Sequence, residues 1–160
     1  MSADRRGSNV RKPLREHVRP DGVTDATVAA VGKLSEALEV VEECRGLLYA
    51  FHRRTGTADF TLQEAVDLLR VAGHERLADR IDHELVGRNV VHGRWTFQLV
   101  EEYDDTYWSV FRRLDQEVRD ELIGGRRHLF EAEMKESERT DGKRGHTAVP
   151  DDSGPQGSKG

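Results

Sequence analysis

Asp104 stands in the middle of the apolar stripe of the longest helical pattern in this 160-residue chain. The stretch Arg94–Trp108 reads RWTFQLVEEYDDTYW. At about 100° per residue, Phe97, Val100, Tyr107, Phe111, Leu114, Val118 and Leu122 share one face, with Asp104 among them and Glu101 and Asp115 at its edge. Burying a carboxylate is costly unless a cation or hydrogen-bond donors meet it. The fold must therefore bring Asp104 a partner, and the candidates are an arginine, a histidine or a metal ion.

The same reasoning finds polar groups on the inner face of the first helix. That helix is expected from Thr24 to about Arg54, before Thr55-Gly56-Thr57, with Val31, Leu34, Leu38, Val41, Leu48 and Tyr49 inward. Glu42, Arg45 and His52 lie on the same stripe, whereas Cys44 falls off it. Thr61-Leu62-Gln63-Glu64 fits a capping box, which predicts a short helix to Ala72 with Leu62, Ala65, Val66 and Leu69 inward. Gly73 should cap that helix in the left-handed conformation, and a third helix should follow with Leu77, Ile81 and Leu85 inward. A connection over Gly87–Trp95 leads into a fourth helix from about Thr96 to Ile123. Gly124-Gly125 interrupts the pattern, and Arg126–Glu136 resumes it.

The expected architecture is all-α: a bundle of two long antiparallel helices with a short αα-hairpin between them. Residues 1–22 read as a disordered basic arm, 23–136 as one helical domain and 137–160 as a disordered tail rich in Gly, Ser, Asp and Lys. No run approaches the roughly 20 apolar residues that span a bilayer, and no secretory signal pattern opens the chain. The single cysteine, Cys44, excludes an intramolecular disulfide and a multi-cysteine zinc site. These features point to a cytoplasmic protein with no membrane partner.

The net charge is −5, and the acidic excess lies in the helical domain while the two flanks taken together are net basic. Nucleic acid is disfavoured as a partner, because a binding domain would carry the basic residues on its folded face. The second helix of the short hairpin carries Glu75, Asp79, Asp82 and Glu84, which would repel phosphates.

Antiparallel packing of the long helices brings Glu42, Arg45, Tyr49 and His52 toward Glu101, Asp104, Tyr107 and Trp108, the candidate ligand-binding set. Two readings follow. An Arg–carboxylate network fixes helix register, or Glu42, His52, Glu101 and Asp104 bind a metal ion, with magnesium or manganese suited to such oxygen ligands. The di-iron bundle pattern needs Glu-x-x-His, and none occurs. His-Glu-x-x-His, phosphate-loop and Gly-x-Ser-x-Gly patterns are also missing, so no motif specifies a cofactor or a reaction. Arg88, His92 and Arg94 form the one loop suited to an anion.

The leading expectation is a small interaction or assembly protein whose partner is a second copy or another protein. Two short helices cannot cover two long ones, which leaves apolar surface toward Leu114–Leu122 and Phe130. The alternative is a metal- or polar-ligand-binding bundle, extending to an enzyme, around the carboxylate/His/Arg centre.

Overall fold

The computed structural model describes residues 13–150, and among them the protein is helical with no strand. Helix α1 runs Asp25–Val71, α2 Glu75–Glu84, α3 Thr96–Glu102, α4 Ser109–Ile123 and α5 Leu129–Glu138. A π-helical segment, Tyr103–Trp108, joins α3 to α4. The one extended pairing is an isolated bridge between Val91 and Arg94, in the connection ahead of α3.

Helix α1 corrects the expected break at Thr55-Gly56-Thr57. It continues for 47 residues, about 70 Å at the usual rise per residue. The threonines explain why. The hydroxyls of Thr55, Thr57 and Thr61 donate to the carbonyls of Phe51, Arg53 and Thr57, four residues back. Thr61 is thereby absorbed into the helix and does not cap a new one. Gly56 weakens the helix by about 1 kcal/mol relative to alanine, which does not end it. Gly73 at φ 82° ends α1, with the His74 N–H bonded to the Leu69 carbonyl at 2.9 Å.

Two compact units divide the described residues, one comprising 13–35 and 115–150 and the other 36–114. In the first, Val28, Val31, Ile123 and Leu129 form a buried cluster against which Val23 and Val118 pack. Within residues 13–22, read from composition as part of a basic arm, Arg15–His17 forms a 3-10 turn. Arg19 there binds both carboxylate oxygens of Glu133, at 2.8 and 2.7 Å, and reaches Asp25 in the first turn of α1 at 2.6 Å. Arg126 donates to the Val18 carbonyl. Residues 1–12 of the arm and 151–160 of the tail lie outside the described residues; within the tail, Arg139 pairs with Glu136 and Asp141.

In the second unit Val41, Val66, Ala78 and Val100 are the buried apolar residues. Helix α2 is turned relative to expectation. Ala78 is fully buried while Leu77 and Leu85 are exposed, and Ala65 at the end of α1 is exposed as well. Beside the buried Ala78, Arg70 of α1 reaches the exposed Asp79 at 3.3 Å and Asp82 at 2.8 Å.

The stripe expected for the fourth helix also shifts. Asp115 and Ile123 are buried, whereas their neighbours Leu114 and Leu122, expected inward, are exposed, as are Phe97 and Tyr107. Along α4 the inner face has turned toward Asp115 and Ile123, while Phe111 and Val118 of the expected stripe remain half-buried. A π turn takes roughly one residue more than an α turn, and one residue is about 100° of phase. The segment Tyr103–Trp108 absorbs that residue.

Candidate functional site

The polar centre lies within the second unit. In an α-helix Arg45 and Tyr49, four apart, share a face, and this is the face of α1 that also carries Val41 and His52. Asp104 meets them from the π segment. The Arg45 Nε donates to Asp104 Oδ1 at 2.7 Å and its Nη2 to Oδ2 at 2.9 Å, a two-point guanidinium–carboxylate pair. The Tyr49 hydroxyl donates to the same Oδ2 at 2.7 Å and accepts from Arg45 Nη2 at 3.0 Å. Both oxygens of Asp104 are thus occupied.

Aromatic rings enclose the guanidinium. Its central carbon lies 4.2 Å from the Trp108 ring centre and 4.7 Å from that of Tyr49. Arg112 approaches Trp108 as well, at 4.6 Å. The indole N–H of Trp108 donates to Glu42 Oε1 at 2.9 Å, which ties α1 to the C-terminal end of the π segment. The Tyr103 hydroxyl donates to the Val41 carbonyl at 3.4 Å.

The electrostatics follow from these contacts. The Arg45 guanidinium holds the Asp104 carboxyl below the ordinary carboxylate range; partial burial opposes this and the Tyr49 hydroxyl adds to it. Asp104 in turn keeps Arg45 charged. Donation to Asp104 pushes the Tyr49 hydroxyl upward, and burial adds to that. Burial likewise raises Tyr103. Near neutral pH the centre is a fixed ion pair. It is poorly suited to proton transfer, since neither partner's protonation changes there.

The remaining candidates go elsewhere. His52 exchanges a 2.7 Å hydrogen bond, through Nδ1, with the hydroxyl of buried Thr96 at the start of α3. Glu101 is exposed on α3 and is not a hydrogen-bond partner of the cluster. Tyr107 packs on Tyr103 and Phe111, at 5.5 and 6.1 Å between ring centres. Glu42, His52, Glu101 and Asp104 therefore do not converge, and among the described residues no three His, Cys, Asp or Glu side chains are placed to hold a metal ion. In the loop suited to an anion, Arg94 pairs with Glu102 at 2.9 Å and Arg88 donates to the Glu84 carbonyl at 3.3 Å.

No protein-family model, curated protein or solved structure matches the chain. The site must be read from its own chemistry.

A second polar group, in the first unit, carries more burial than the first. Asp115 is wholly buried. Its Oδ1 accepts from the Ser35 hydroxyl at 2.8 Å and its Oδ2 lies 2.7 Å from Arg119 Nη2. That ion pair is close but off the hydrogen-bond line, so Asp115 Oδ2 and Arg119 Nε have no hydrogen-bond partner. Sequence periodicity put Asp115 only at the edge of the apolar face. The available signal was its arginine four residues on, a spacing that is common on exposed helices and therefore weak.

One surface of α1 was not legible as a surface at all. Val40, Leu47 and Phe51 are 55%, 71% and 45% exposed, and Cys44 between them is exposed. Their spacing of four, three and four residues draws a single apolar seam along the helix, about a third of a turn away from the face that carries Arg45.

Proposed function

We propose that this protein is a small cytoplasmic interaction and assembly protein that self-associates through α1, its long helices forming an antiparallel bundle. The observation that carries the proposal is the exposed seam Val40–Cys44–Leu47–Phe51. Scattered apolar side chains are ordinary on protein surfaces, but a continuous apolar stripe with the spacing of a helix–helix contact marks an interaction site. The exposed Leu114, Leu122 and Phe130 add apolar surface beyond it.

The antiparallel arrangement is supported by contact order within the second unit. Glu42, Arg45 and His52 meet Trp108, Asp104 and Thr96, ascending along α1 and descending along the partner helix. The polar centre fits an assembly protein as a register lock, with Asp104 saturated by Arg45 and Tyr49. The cytoplasmic assignment rests on the lone cysteine.

Sedimentation equilibrium over a range of concentrations tests this reading. The native chain should show concentration-dependent association, and Leu47→Glu, which puts a charge in the centre of the seam, should be monomeric with an unchanged helical circular dichroism spectrum. A native chain that stays monomeric at all concentrations would overturn it.

A further inference from the structure

We infer that α5 is a latched lid on the core of the first unit. It opens as one piece about the link formed by residues 124–128, and the guanidinium of Arg19 is the latch.

Apolar contact alone holds α5 loosely. Of its ten residues only Leu129 is buried, while Phe130 and Met134 are exposed. Ala132, Glu133 and Glu136 are half-buried, and with Leu129 they follow the three- and four-residue spacing of one helix face. The inward face of α5 is therefore a leucine, an alanine and two glutamates. Leu129 completes the cluster of Val28, Val31 and Ile123, and the two carboxylates need cations. Arg139, at the end of α5 itself, meets Glu136 at 2.8 Å. Glu133 takes its cation from the segment ahead of α1. The Nε and Nη2 of Arg19 donate to its two oxygens at 2.8 and 2.7 Å, while Nη1 donates to Asp25 at 2.6 Å and to the Val23 carbonyl at 3.4 Å. One guanidinium thus joins three parts of the fold: the segment before α1, the first turn of α1, and α5. Isolated exposed ion pairs contribute little, but two-point geometry and a second carboxylate make this one a network.

The link to α4 is built to turn. Gly124 and Gly125 stand at φ 62° and 70°, and His128, which begins α5 without a side-chain cap, stands at 56°. Left-handed backbone is easy for glycine and uncommon for other residues, so the two glycines can absorb the rotation of a hinge. The segment that carries the latch is gripped at this link too, since Arg126 donates to the Val18 carbonyl. Beyond α5 the chain folds back on the helix, with Lys135 donating to the Ala148 carbonyl at 3.3 Å, so it travels with α5. On the other side of the hinge α4 is anchored by buried Asp115 and Ile123 and stays in place. Salt screens the half-exposed Arg19–Glu133 pair and leaves apolar contacts intact, which makes ionic strength the natural control of opening.

Native-state hydrogen exchange of the full chain, read residue by residue by NMR, tests the latch. In the unmodified protein the α5 amides should exchange through an opening that leaves residues 118–123 protected. Raising sodium chloride from about 0.05 to about 0.5 M should speed α5 severalfold and leave residues 118–123 unchanged. Arg19→Met and Glu133→Gln should each speed α5 by roughly tenfold and remove its salt dependence. The double variant should add little more, because both changes remove the same contact. If α5 and residues 118–123 exchange together under every condition, α5 does not open on its own and the lid is overturned. If α5 opens separately but neither variant nor salt changes its rate, Arg19 is not the latch.

Discussion

Trp108 covers the guanidinium of Arg45, with 4.2 Å between the charged carbon and the ring centre. The contact is held from both sides: Asp104 fixes the guanidinium in two-point geometry, and Glu42 fixes the indole N–H. Four side chains thereby set the register of α1 against the π segment. Truncating Trp108 to leucine should cost about 1–2 kcal/mol, the range of a partly desolvated cation–π contact. Arg45→Met should cost more, roughly 1–3 kcal/mol, because it strands a half-buried carboxylate. Urea unfolding midpoints with unchanged slope would measure both.

Acid should weaken this centre in a defined window. The folded pKa of Asp104 is depressed, so its contribution is complete above the unfolded value of about 3.9 and is lost as pH falls through the lower folded value. Asp104→Asn should therefore be less stable than the native chain at pH 7, and the gap should narrow progressively below about pH 4. Tyr49 has the opposite sign. Its raised pKa gives a contribution present below about pH 10 and lost as pH rises beyond it, so Tyr49→Phe should flatten the alkaline limb. Chemical denaturation across pH reads both limbs.

Asp115 should dominate the stability of the first unit. Arg119→Met leaves a wholly buried carboxylate without its cation and should cost about 3–5 kcal/mol. Ser35→Ala removes one neutral donor to that carboxylate and should cost about 1–2 kcal/mol. The order of the two variants in thermal melts is the test, and equal effects would mean that the arginine contributes little.

The π segment should tolerate a deletion that a regular helix would not. Its extra residue is what places Asp115 and Ile123, in preference to Leu114 and Leu122, on the buried face. Deleting exposed Thr106 converts the turn to α geometry and leaves the helices on either side in their present phase. Stability should change by about 1 kcal/mol or less, while deleting Gln116 from α4 should cost more than about 4 kcal/mol by turning buried groups outward. Circular dichroism melts of the two deletions make the comparison.

Cys44 reports on the seam directly. A thiol reagent should modify it quickly in dilute protein and more slowly as concentration rises, because the second copy covers it. In Leu47→Glu the rate should be independent of concentration.

Much of the polar centre was legible because burying a carboxylate demands a partner. Asp104 in an apolar stripe, with Arg45 and Tyr49 on the facing helix, is a pattern that spacing alone exposes. Trp108 as the lid on Arg45 was less legible, since its place depends on the phase shift introduced by the π turn, and backbone hydrogen bonding of that kind leaves no periodic mark. The same shift hid Asp115. The break expected at Thr55-Gly56-Thr57 failed for a different reason: threonine and glycine are weak helix formers, but hydroxyls that bond back to the helix satisfy it locally. The seam through Val40 and Phe51 is hidden in the sequence because α1 carries two apolar stripes, and the stripe that faces the polar centre is the stronger periodic pattern.

The unbroken α1 contains its own weakest link. Between Thr55 and Thr61 the helix holds three threonines and a glycine, all weak helix formers, the threonine hydroxyls bond back to its carbonyls, and most of the side chains face solvent. Apart from the bond that Asp59 accepts from the Gly87 N–H at 3.2 Å, little tertiary contact holds those turns, so amide protons there should exchange ahead of the helix interior on either side, and a protease sampling the folded chain should find an opening within α1 as well as at its ends.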